Sequence, residues 1–196
     1  AYINQKMKIA IVCFDNFTDI DVFLPWDLLN RVRLVGGLSD WDVQLLGTEE
    51  THISMSGLRI PMTGSISDIP FADAVIFASG KGVKDLYKNQ QYINSIHVDP
   101  QRQLIGSMCS GSLLLGAKKL LTGKKATTYP SAVEQLKEFG VDVIEKSFVN
   151  EGNISTAAGC FAAQEPSAWI IRTLLNEEMV DIVLETVQPV GKGLYF

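Results

Sequence analysis

Histidine and cysteine are scarce in this chain of 196 residues, which contains two histidines and three cysteines. The cysteines lie far apart and show none of the spacings that are typical of metal ligands. A zinc site therefore has few side chains from which to be built, and we expect no metal. Three cysteines without a disulfide pattern also favour a reducing compartment, so we expect a cytoplasmic protein.

The chain also lacks an excess of positive charge and a long apolar run. Its net charge of −5 leaves no basic surface, which argues against a nucleic-acid partner. No apolar stretch approaches the roughly 18 residues of a membrane span, so we expect no membrane partner. A hydrophobic content of 46% with 20% charged residues is that of an ordinary globular domain.

What is present is a series of buried-strand patterns that alternate with helical patterns. This order predicts a single α/β domain with a mostly parallel central sheet. We place the domain at residues 7–187, because Met7 is a plausible native start and opens the first strand pattern. Residues 1–6 are then an N-terminal extension, and residues 188–196 form a tail that contains proline and glycine.

The segment 103–116 stands out because a short strand pattern meets a helical pattern at a cysteine. Cys109 occupies the turn, as in a nucleophile elbow with sulfur in place of oxygen. The N-terminus of the following helix favours a thiolate there, and Ser110 and Gly111 supply N–H groups for an anion. The alternative is that Cys109 is a small core residue at a tight turn.

Asp21 lies just after the first strand pattern and has two interpretations. It can cap a helix that begins at Thr18, in a pattern similar to a capping box. It can also be a functional acid at the carboxyl end of the first strand, where open α/β sheets bind ligands. In that case Asp21 and Cys109 converge at the same edge. Pro25 is expected near the first turn of the helix or at a break.

Two further positions follow strand patterns. Gly80 comes after the strand pattern at 73–78 and can aim backbone N–H groups into the same crevice. Cys160 also lies near a predicted strand-to-helix turn, but packing is the favoured interpretation there. Neither His52 nor His97 is expected to take part in catalysis.

Taken together, these segments resemble the DJ-1/PfpI superfamily, and within it the isocyanide (isonitrile) hydratase-like branch. The resemblance is carried by Asp21 with Pro25 and Asp27, by the strand that ends in Gly80-Lys81-Gly82, by Cys109-Ser110-Gly111-Ser112 with Gly116, by Ala126-Thr127-Thr128, and by Thr156-Ala157-Ala158-Gly159. It implies a three-layer flavodoxin-like sandwich, a homodimer, and no metal or organic cofactor. It also implies that Cys109 is the nucleophile and Asp21 its acid, with Gly80 facing the cysteine and Ser110 following it.

The chain departs from the superfamily pattern at several positions. Ala78-Ser79-Gly80 replaces the usual Pro-Gly-Gly, Tyr129 replaces a histidine, and Glu165 stands where aspartate is commoner. Ser110 takes the place of a threonine or histidine. The missing histidine after the cysteine argues against the protease-like members of the superfamily.

The resemblance implies a cysteine-dependent enzyme that acts on a small electrophilic molecule. The leading hypothesis is hydration of an isocyanide to an N-substituted formamide. One alternative is glyoxalase or hydrolase chemistry on small carbonyl compounds. Another is a non-catalytic ligand-sensing or redox-sensing domain, like those of AraC-type regulators.

Overall fold

A seven-stranded sheet forms the centre of the protein, which we describe from a computed structural model for residues 6–188. Eleven strands are found in that range: β1 Met7–Val12, β2 Trp41–Gly47, β3 Thr51–Ile53, β4 Arg59–Pro61, β5 Gly64–Ser65, β6 Ala74–Phe77, β7 Leu104–Met108, β8 Lys125–Ala126, β9 Asp142–Val143, β10 Phe148–Glu151 and β11 Ile154–Ala157. The order in the central sheet is β10-β11-β7-β6-β1-β2-β5.

Every pair of neighbours in this sheet is parallel except β10 and β11, which form an antiparallel hairpin. The four central strands β11, β7, β6 and β1 are almost entirely buried, as expected for a sheet that is covered on both faces. The mostly parallel sheet predicted from the strand patterns is therefore confirmed. Two small separate sheets pair β3 with β4 and β8 with β9.

Seven α-helices accompany the sheet in the described range: α1 Asp19–Leu34, α2 Val83–Leu86, α3 Gln90–Ser95, α4 Ser112–Ala117, α5 Val133–Lys137, α6 Gln164–Leu174 and α7 Glu177–Val187. Helix α1 packs against α6 and α7, and α4 packs against α2 and α5. The two groups form the outer layers of a three-layer α/β sandwich, which confirms the predicted fold class. Among residues 6–188, no helix has the length and apolar composition needed to cross a membrane.

Helices α1 and α4 differ from their expected extents. Pro25 lies well inside α1, which continues to Leu34, so the expectation of an early position or a break is wrong. Helix α4 ends at Ala117 because Lys119 adopts a left-handed backbone conformation with φ +61°. The apolar periodicity of the sequence continues to Leu121 because that residue is buried, although it lies beyond the end of the helix.

The predicted domain of residues 7–187 is covered almost exactly by the described range. The extension proposed for residues 1–6 and the tail proposed for 188–196 lie outside it, apart from Lys6 and Gln188. Those boundaries remain predictions. The carboxyl ends of β1, β6 and β7 come together at one edge of the sheet, and the turns that follow them hold the candidate site.

Candidate active site

Cys109 lies in a single 3-10 turn between β7 and α4, with its backbone in the left-handed region at φ +48°. A residue other than glycine holds this conformation at a cost of about 1–3 kcal/mol, and the surroundings must enforce it. The Cys109 carbonyl oxygen accepts hydrogen bonds from the hydroxyl groups of Thr128, at 3.0 Å, and Ser112, at 3.3 Å. These two hydroxyls are themselves 2.7 Å apart. They fix the turn that presents the sulfur.

Two glycines let the neighbouring turns approach each other closely. A Cβ atom on Gly111 would lie 2.5 Å from the carbonyl oxygen of Ala78, at the end of β6. A Cβ atom on Gly80 would lie 2.2 Å from the carbonyl oxygen of Asn16, and Gly80 has φ +147°. Both contacts are with backbone atoms, which cannot move aside as a flexible side chain can. Only glycine fits either position without rearrangement.

Asp21 brings its carboxyl group to Cys109 from the first turn of α1. The distance between Asp21 Oδ1 and Cys109 Sγ is 3.7 Å, although 88 positions separate the two residues. Asp21 is fully buried, and its second oxygen, Oδ2, has no hydrogen-bond partner among the described residues. The N-cap of α1 is Thr18, and no side chain makes a capping hydrogen bond there. The interpretation of Asp21 as a helix cap is therefore wrong, and its convergence with Cys109 is observed.

The pKa values of both groups are shifted upward. Burial raises the pKa of the Asp21 carboxyl. The contacts with the Cys160 and Cys109 thiols lower this pKa by less than burial raises it. Burial also raises the pKa of the Cys109 thiol, with further increases from the Asp21 charge and from Cys160. Both shifts favour the uncharged forms of the two groups. The expectation that the helix N-terminus favours a thiolate at Cys109 stays a prediction.

Cys160 is the third member of this cluster. Its sulfur lies 3.7 Å from the sulfur of Cys109, at the start of the 3-10 turn Cys160–Ala163. Burial and the nearby Asp21 carboxyl raise the pKa of the Cys160 thiol to about 11. The interpretation of Cys160 as a packing residue is therefore wrong. In the sequence, the strand-to-helix turn that follows β11 was the feature that indicated a place for Cys160 near the site.

Ser110 lies beside Cys109, but its backbone N–H is already engaged. It donates a hydrogen bond to the hydroxyl oxygen of Ser79 at 3.1 Å. The hydroxyl groups of Ser79 and Ser110 are also 2.5 Å apart. Ser79 occupies the position where the superfamily pattern has glycine, and reasoning from the sequence assigned it no role. The expected use of the Ser110 N–H as a free anion donor is therefore not what this structure shows.

Gly80 retains a free donor. Its backbone N–H makes no hydrogen bond within the part of the chain that the structure describes. Gly80 pairs with Phe17 in an isolated antiparallel bridge, which holds the turn against the loop before α1. His52 is buried elsewhere and contacts the Asp15 carboxylate at 3.0 Å, so it has no part in this site.

A cavity of about 470 Å³ opens onto the Cys109 sulfur. Its polar lining is rich in lysine and hydroxyl groups, and among residues 6–188 Asp21 is the one carboxylate that lines it. The lining residues are Thr18, Asp21, Met55, Ser79, Gly80, Lys81, Val83, Lys84, Tyr87, Lys88, Cys109, Ser110, Leu113, Tyr129, Ser131, Ala132, Gln135 and Cys160. All four residues expected at the site from the sequence therefore line one cavity. Its size suits a small organic molecule.

The sequence profile of the DJ-1/PfpI family matches residues 7–172. The chain belongs to the DJ-1/PfpI family. Among curated proteins it is similar to an isonitrile hydratase of Pseudomonas putida, with 27% identity over 181 residues that cover 91% of this chain and 77% of the hydratase. It is also similar to a glutathione-independent glyoxalase DJ-1 of Schizosaccharomyces pombe, with 26% identity over 78% of this chain and 83% of the glyoxalase.

The fold has close counterparts among solved structures of this family. A ThiJ/PfpI family protein from Pseudomonas syringae superimposes with a TM-score of 0.82 and 23% identity. The superposition covers 97% of this chain and 78% of that protein. At this level of identity the likeness shows the shared sandwich fold. The resemblance read from the sequence is confirmed at the level of the family and its isonitrile hydratase relative.

Proposed function

We propose that this DJ-1/PfpI protein is a cysteine-dependent enzyme that hydrates a small isocyanide to an N-substituted formamide. The observation that carries the proposal is the Cys109–Asp21 pair, whose sulfur and carboxyl oxygen lie 3.7 Å apart at the end of a cavity. The similarity to an isonitrile hydratase over most of both chains supports it. We assign Cys109 as the nucleophile and Asp21 as the group that carries the proton.

In the first step the Cys109 sulfur attacks the terminal carbon of the isocyanide, while the proton shared by the pair resides on Asp21. As the C–S bond forms, one C–N π pair moves onto the nitrogen, and the carbon keeps its own lone pair. Asp21 then donates its proton to the carbon, which gives a thioimidate linked to Cys109 and leaves Asp21 as a carboxylate. Burial favours the protonated carboxyl beforehand, because it raises the pKa of Asp21.

In the second step the Asp21 carboxylate removes a proton from a water molecule as the water oxygen attacks the thioimidate carbon. The second proton of the water moves from the added hydroxyl group to the nitrogen, the C=O bond forms as the C–S bond breaks, and the formamide leaves. The departing thiolate of Cys109 and the protonated Asp21 restore the starting pair. The overall balance is one isocyanide and one water consumed for one formamide.

The remaining residues of the site hold the reacting groups. The free N–H of Gly80 is the donor that we assign to charge developing on the substrate. One such donor is typically worth about 3 kcal/mol in the transition state. We do not assign the Ser110 N–H as a second donor, since the Ser79 hydroxyl already accepts it.

A glyoxalase-type reaction on a small carbonyl compound is the second candidate. The same thiol–carboxyl pair can attack a carbonyl carbon and move a proton. The similarity to the glyoxalase of S. pombe, at 26% identity, favours this candidate over other hydrolytic reactions.

A substrate panel separates these candidates. Purified protein is assayed with alkyl and aryl isocyanides, methylglyoxal and activated esters, alongside Cys109→Ala and the matched control Cys13→Ala. Formamide production that Cys109→Ala abolishes and Cys13→Ala retains supports the hydratase assignment. Turnover confined to methylglyoxal would replace it with the glyoxalase assignment. No turnover of any compound would favour a ligand-sensing or redox-sensing role.

The homodimer implied by the superfamily resemblance stays a prediction. We propose that the chain self-associates as a homodimer. Light scattering coupled to size-exclusion chromatography checks this, and a monomeric mass at micromolar concentration would contradict it.

A further inference from the structure

Three potential metal ligands converge at the floor of the cavity from three separate turns. They are a carboxylate oxygen of Asp21, Cys109 Sγ and Cys160 Sγ, and the three ligand atoms lie within 4.8 Å of one another. The Cys109 sulfur is 3.7 Å from the Asp21 oxygen and 3.7 Å from the Cys160 sulfur. Each ligand follows a different strand, so no spacing along the chain signals the cluster.

These distances match the edges of a tetrahedral coordination site. With metal–sulfur bonds of about 2.3 Å and metal–oxygen bonds of about 2.0 Å, tetrahedral angles place two sulfurs about 3.8 Å apart. The same angles place a sulfur and an oxygen about 3.5 Å apart. The observed separations of 3.7 Å lie close to both values. The third pair of ligand atoms, from Asp21 and Cys160, lies within 4.8 Å, so a cation can bind all three atoms once the side chains adjust.

A second, independent feature of the cluster points to a cation. Asp21 is fully buried, and its Oδ2 atom has no hydrogen-bond partner among residues 6–188. A buried carboxylate with an unpartnered oxygen is unfavourable, and coordination of a cation by this carboxylate compensates for it. None of the lysines of the cavity forms an ion pair with Asp21 in the described residues.

We propose that Asp21, Cys109 and Cys160 form a binding site for one thiophilic divalent cation such as Zn²⁺. Two thiolates and one carboxylate supply three of four tetrahedral positions. The fourth faces the cavity, where water or a small ligand completes the coordination, as in zinc sites with an open position. Cys160 adds the third ligand to the pair formed by Cys109 and Asp21.

Metal binding and isocyanide hydration compete for the same sulfur. A Cys109 thiolate whose lone pair is bound to a cation is a poor nucleophile, so the loaded protein should be inactive in hydration. The metal proposal does not rest on the proposed function, since it requires only the three ligand atoms. Zinc binding would therefore make the activity sensitive to free thiophilic metal.

Co²⁺ is the probe for the test, because thiolate ligands give it charge-transfer absorption and tetrahedral coordination gives it intense visible bands. The full chain is reduced, freed of metal with a chelator and titrated with Co²⁺, and Zn²⁺ is then added. We expect both sets of bands to saturate at one equivalent and to disappear on addition of Zn²⁺. We expect Cys160→Ser to weaken Co²⁺ binding at least tenfold, since even partners outside the coordination shell contribute about 10–100-fold.

Cys13→Ala is the matched control, because Cys13 is fully buried after β1 and is not part of the cluster. It should retain the bands at wild-type affinity, and circular dichroism confirms that each variant is folded. The proposal is overturned if the wild-type protein shows no thiolate-to-cobalt band, or if Cys160→Ser binds Co²⁺ as tightly as the wild type. Cobalt bands without any hydration activity would support the metal site and contradict the proposed function. Hydration activity without cobalt bands would support the proposed function and contradict the metal site.

Discussion

The hydroxyl oxygen of Ser79 accepts the backbone N–H of Ser110 at 3.1 Å, directly beside the reactive turn of Cys109. The same hydroxyl lies 2.5 Å from the Ser110 hydroxyl. The Ser79 hydroxyl thus occupies the Ser110 N–H, which could otherwise donate a hydrogen bond to a substrate anion. The Gly80 N–H, in contrast, makes no hydrogen bond among residues 6–188.

Removal of the Ser79 hydroxyl should therefore increase catalysis. In Ser79→Ala the Ser110 N–H becomes available to charge on the substrate, and we expect kcat to rise about tenfold. Removal of such a donor from other enzymes lowers kcat by about 10²–10³. We expect a smaller gain here, because a water molecule can replace the Ser79 hydroxyl as the acceptor of the Ser110 N–H. Ser110→Ala is the control, because it keeps the backbone N–H groups of residues 80 and 110 and also keeps the Ser79 hydroxyl. A fall in kcat for Ser79→Ala would mean that the hydroxyl itself acts as the donor.

The Thr128 hydroxyl should be needed for the geometry of the nucleophile. Thr128→Val removes a hydrogen bond to the Cys109 carbonyl, and we expect the free energy of unfolding to fall by about 1 kcal/mol. We also expect kcat to fall tenfold or more, since small misplacements of reacting groups lower rates steeply, by about 10² per ångström.

Thr127→Val is the matched control for Thr128→Val. The Thr127 hydroxyl donates to the Lys146 carbonyl at 2.6 Å, away from the cysteine. Urea denaturation should show a similar loss of stability for both variants, while steady-state kinetics should show a lower kcat for Thr128→Val alone. Equal kinetic losses in the two variants would point to general destabilisation.

The convergence of Asp21 and Cys109 could be anticipated from the sequence for a simple reason. Each residue follows a continuous apolar strand pattern, and parallel strands end at the same edge of a sheet. The helix-cap interpretation of Asp21 failed because local sequence cannot show that the carboxyl turns inward, away from the first N–H groups of α1. The same limit applies to Cys160, whose distance from Cys109 depends on how β11 and its following turn pack against β7.

The hydroxyl network was beyond sequence reasoning. Ser79, Ser112 and Thr128 lie on three different segments, and a serine or threonine has no pattern that marks it as a partner of one carbonyl or one N–H. The end of α4 is also not visible in the sequence, since apolar periodicity continues past this helix while the backbone turns at Lys119. Burial is encoded in the apolar pattern, whereas the end of a helix depends on backbone conformation at one residue.

Asp21 should reduce stability at neutral pH. Its pKa in the folded protein is raised by burial, so folding favours the protonated form. The stability that this group contributes is complete below its ordinary pKa of about 3.9 and is lost as the pH rises through the raised value. Asp21→Asn, which carries no charge, should therefore have a higher Tm than the wild type at pH 7 when both are metal-free.

Thermal unfolding with a chelator present checks this prediction. The gap in Tm between wild type and Asp21→Asn should close as the pH falls to about 4, where both side chains are neutral in the folded state. A gap that is independent of pH would show that the effect comes from altered packing.

The lysines of the cavity should favour substrates that carry a negative charge. Lys81, Lys84 and Lys88 line the cavity and are exposed to solvent. An isocyanide with a distal carboxylate should have a kcat/KM several-fold above that of a neutral analogue of the same size, and the preference should weaken with added salt. Lys84→Gln should reduce the preference about two- to threefold, in line with one exposed charge.

Lys137→Gln is the matched control for Lys84→Gln, because Lys137 is also exposed and lies outside the cavity lining. Its substrate preference should equal that of the wild type. A preference that neither salt nor Lys84→Gln alters would assign charge selection to another part of the site.

The most direct test is to trap the bond between Cys109 and the substrate. The wild-type protein and Asp21→Asn are mixed with an isocyanide, quenched within the first turnover and digested for mass spectrometry. We predict an added mass equal to that of the isocyanide on the peptide that contains Cys109 in the wild type, and much less of it in Asp21→Asn, because Asp21 donates the proton that completes the thioimidate. Formamide production by Cys109→Ala at the wild-type rate, or an adduct found only on Cys160, would contradict the account.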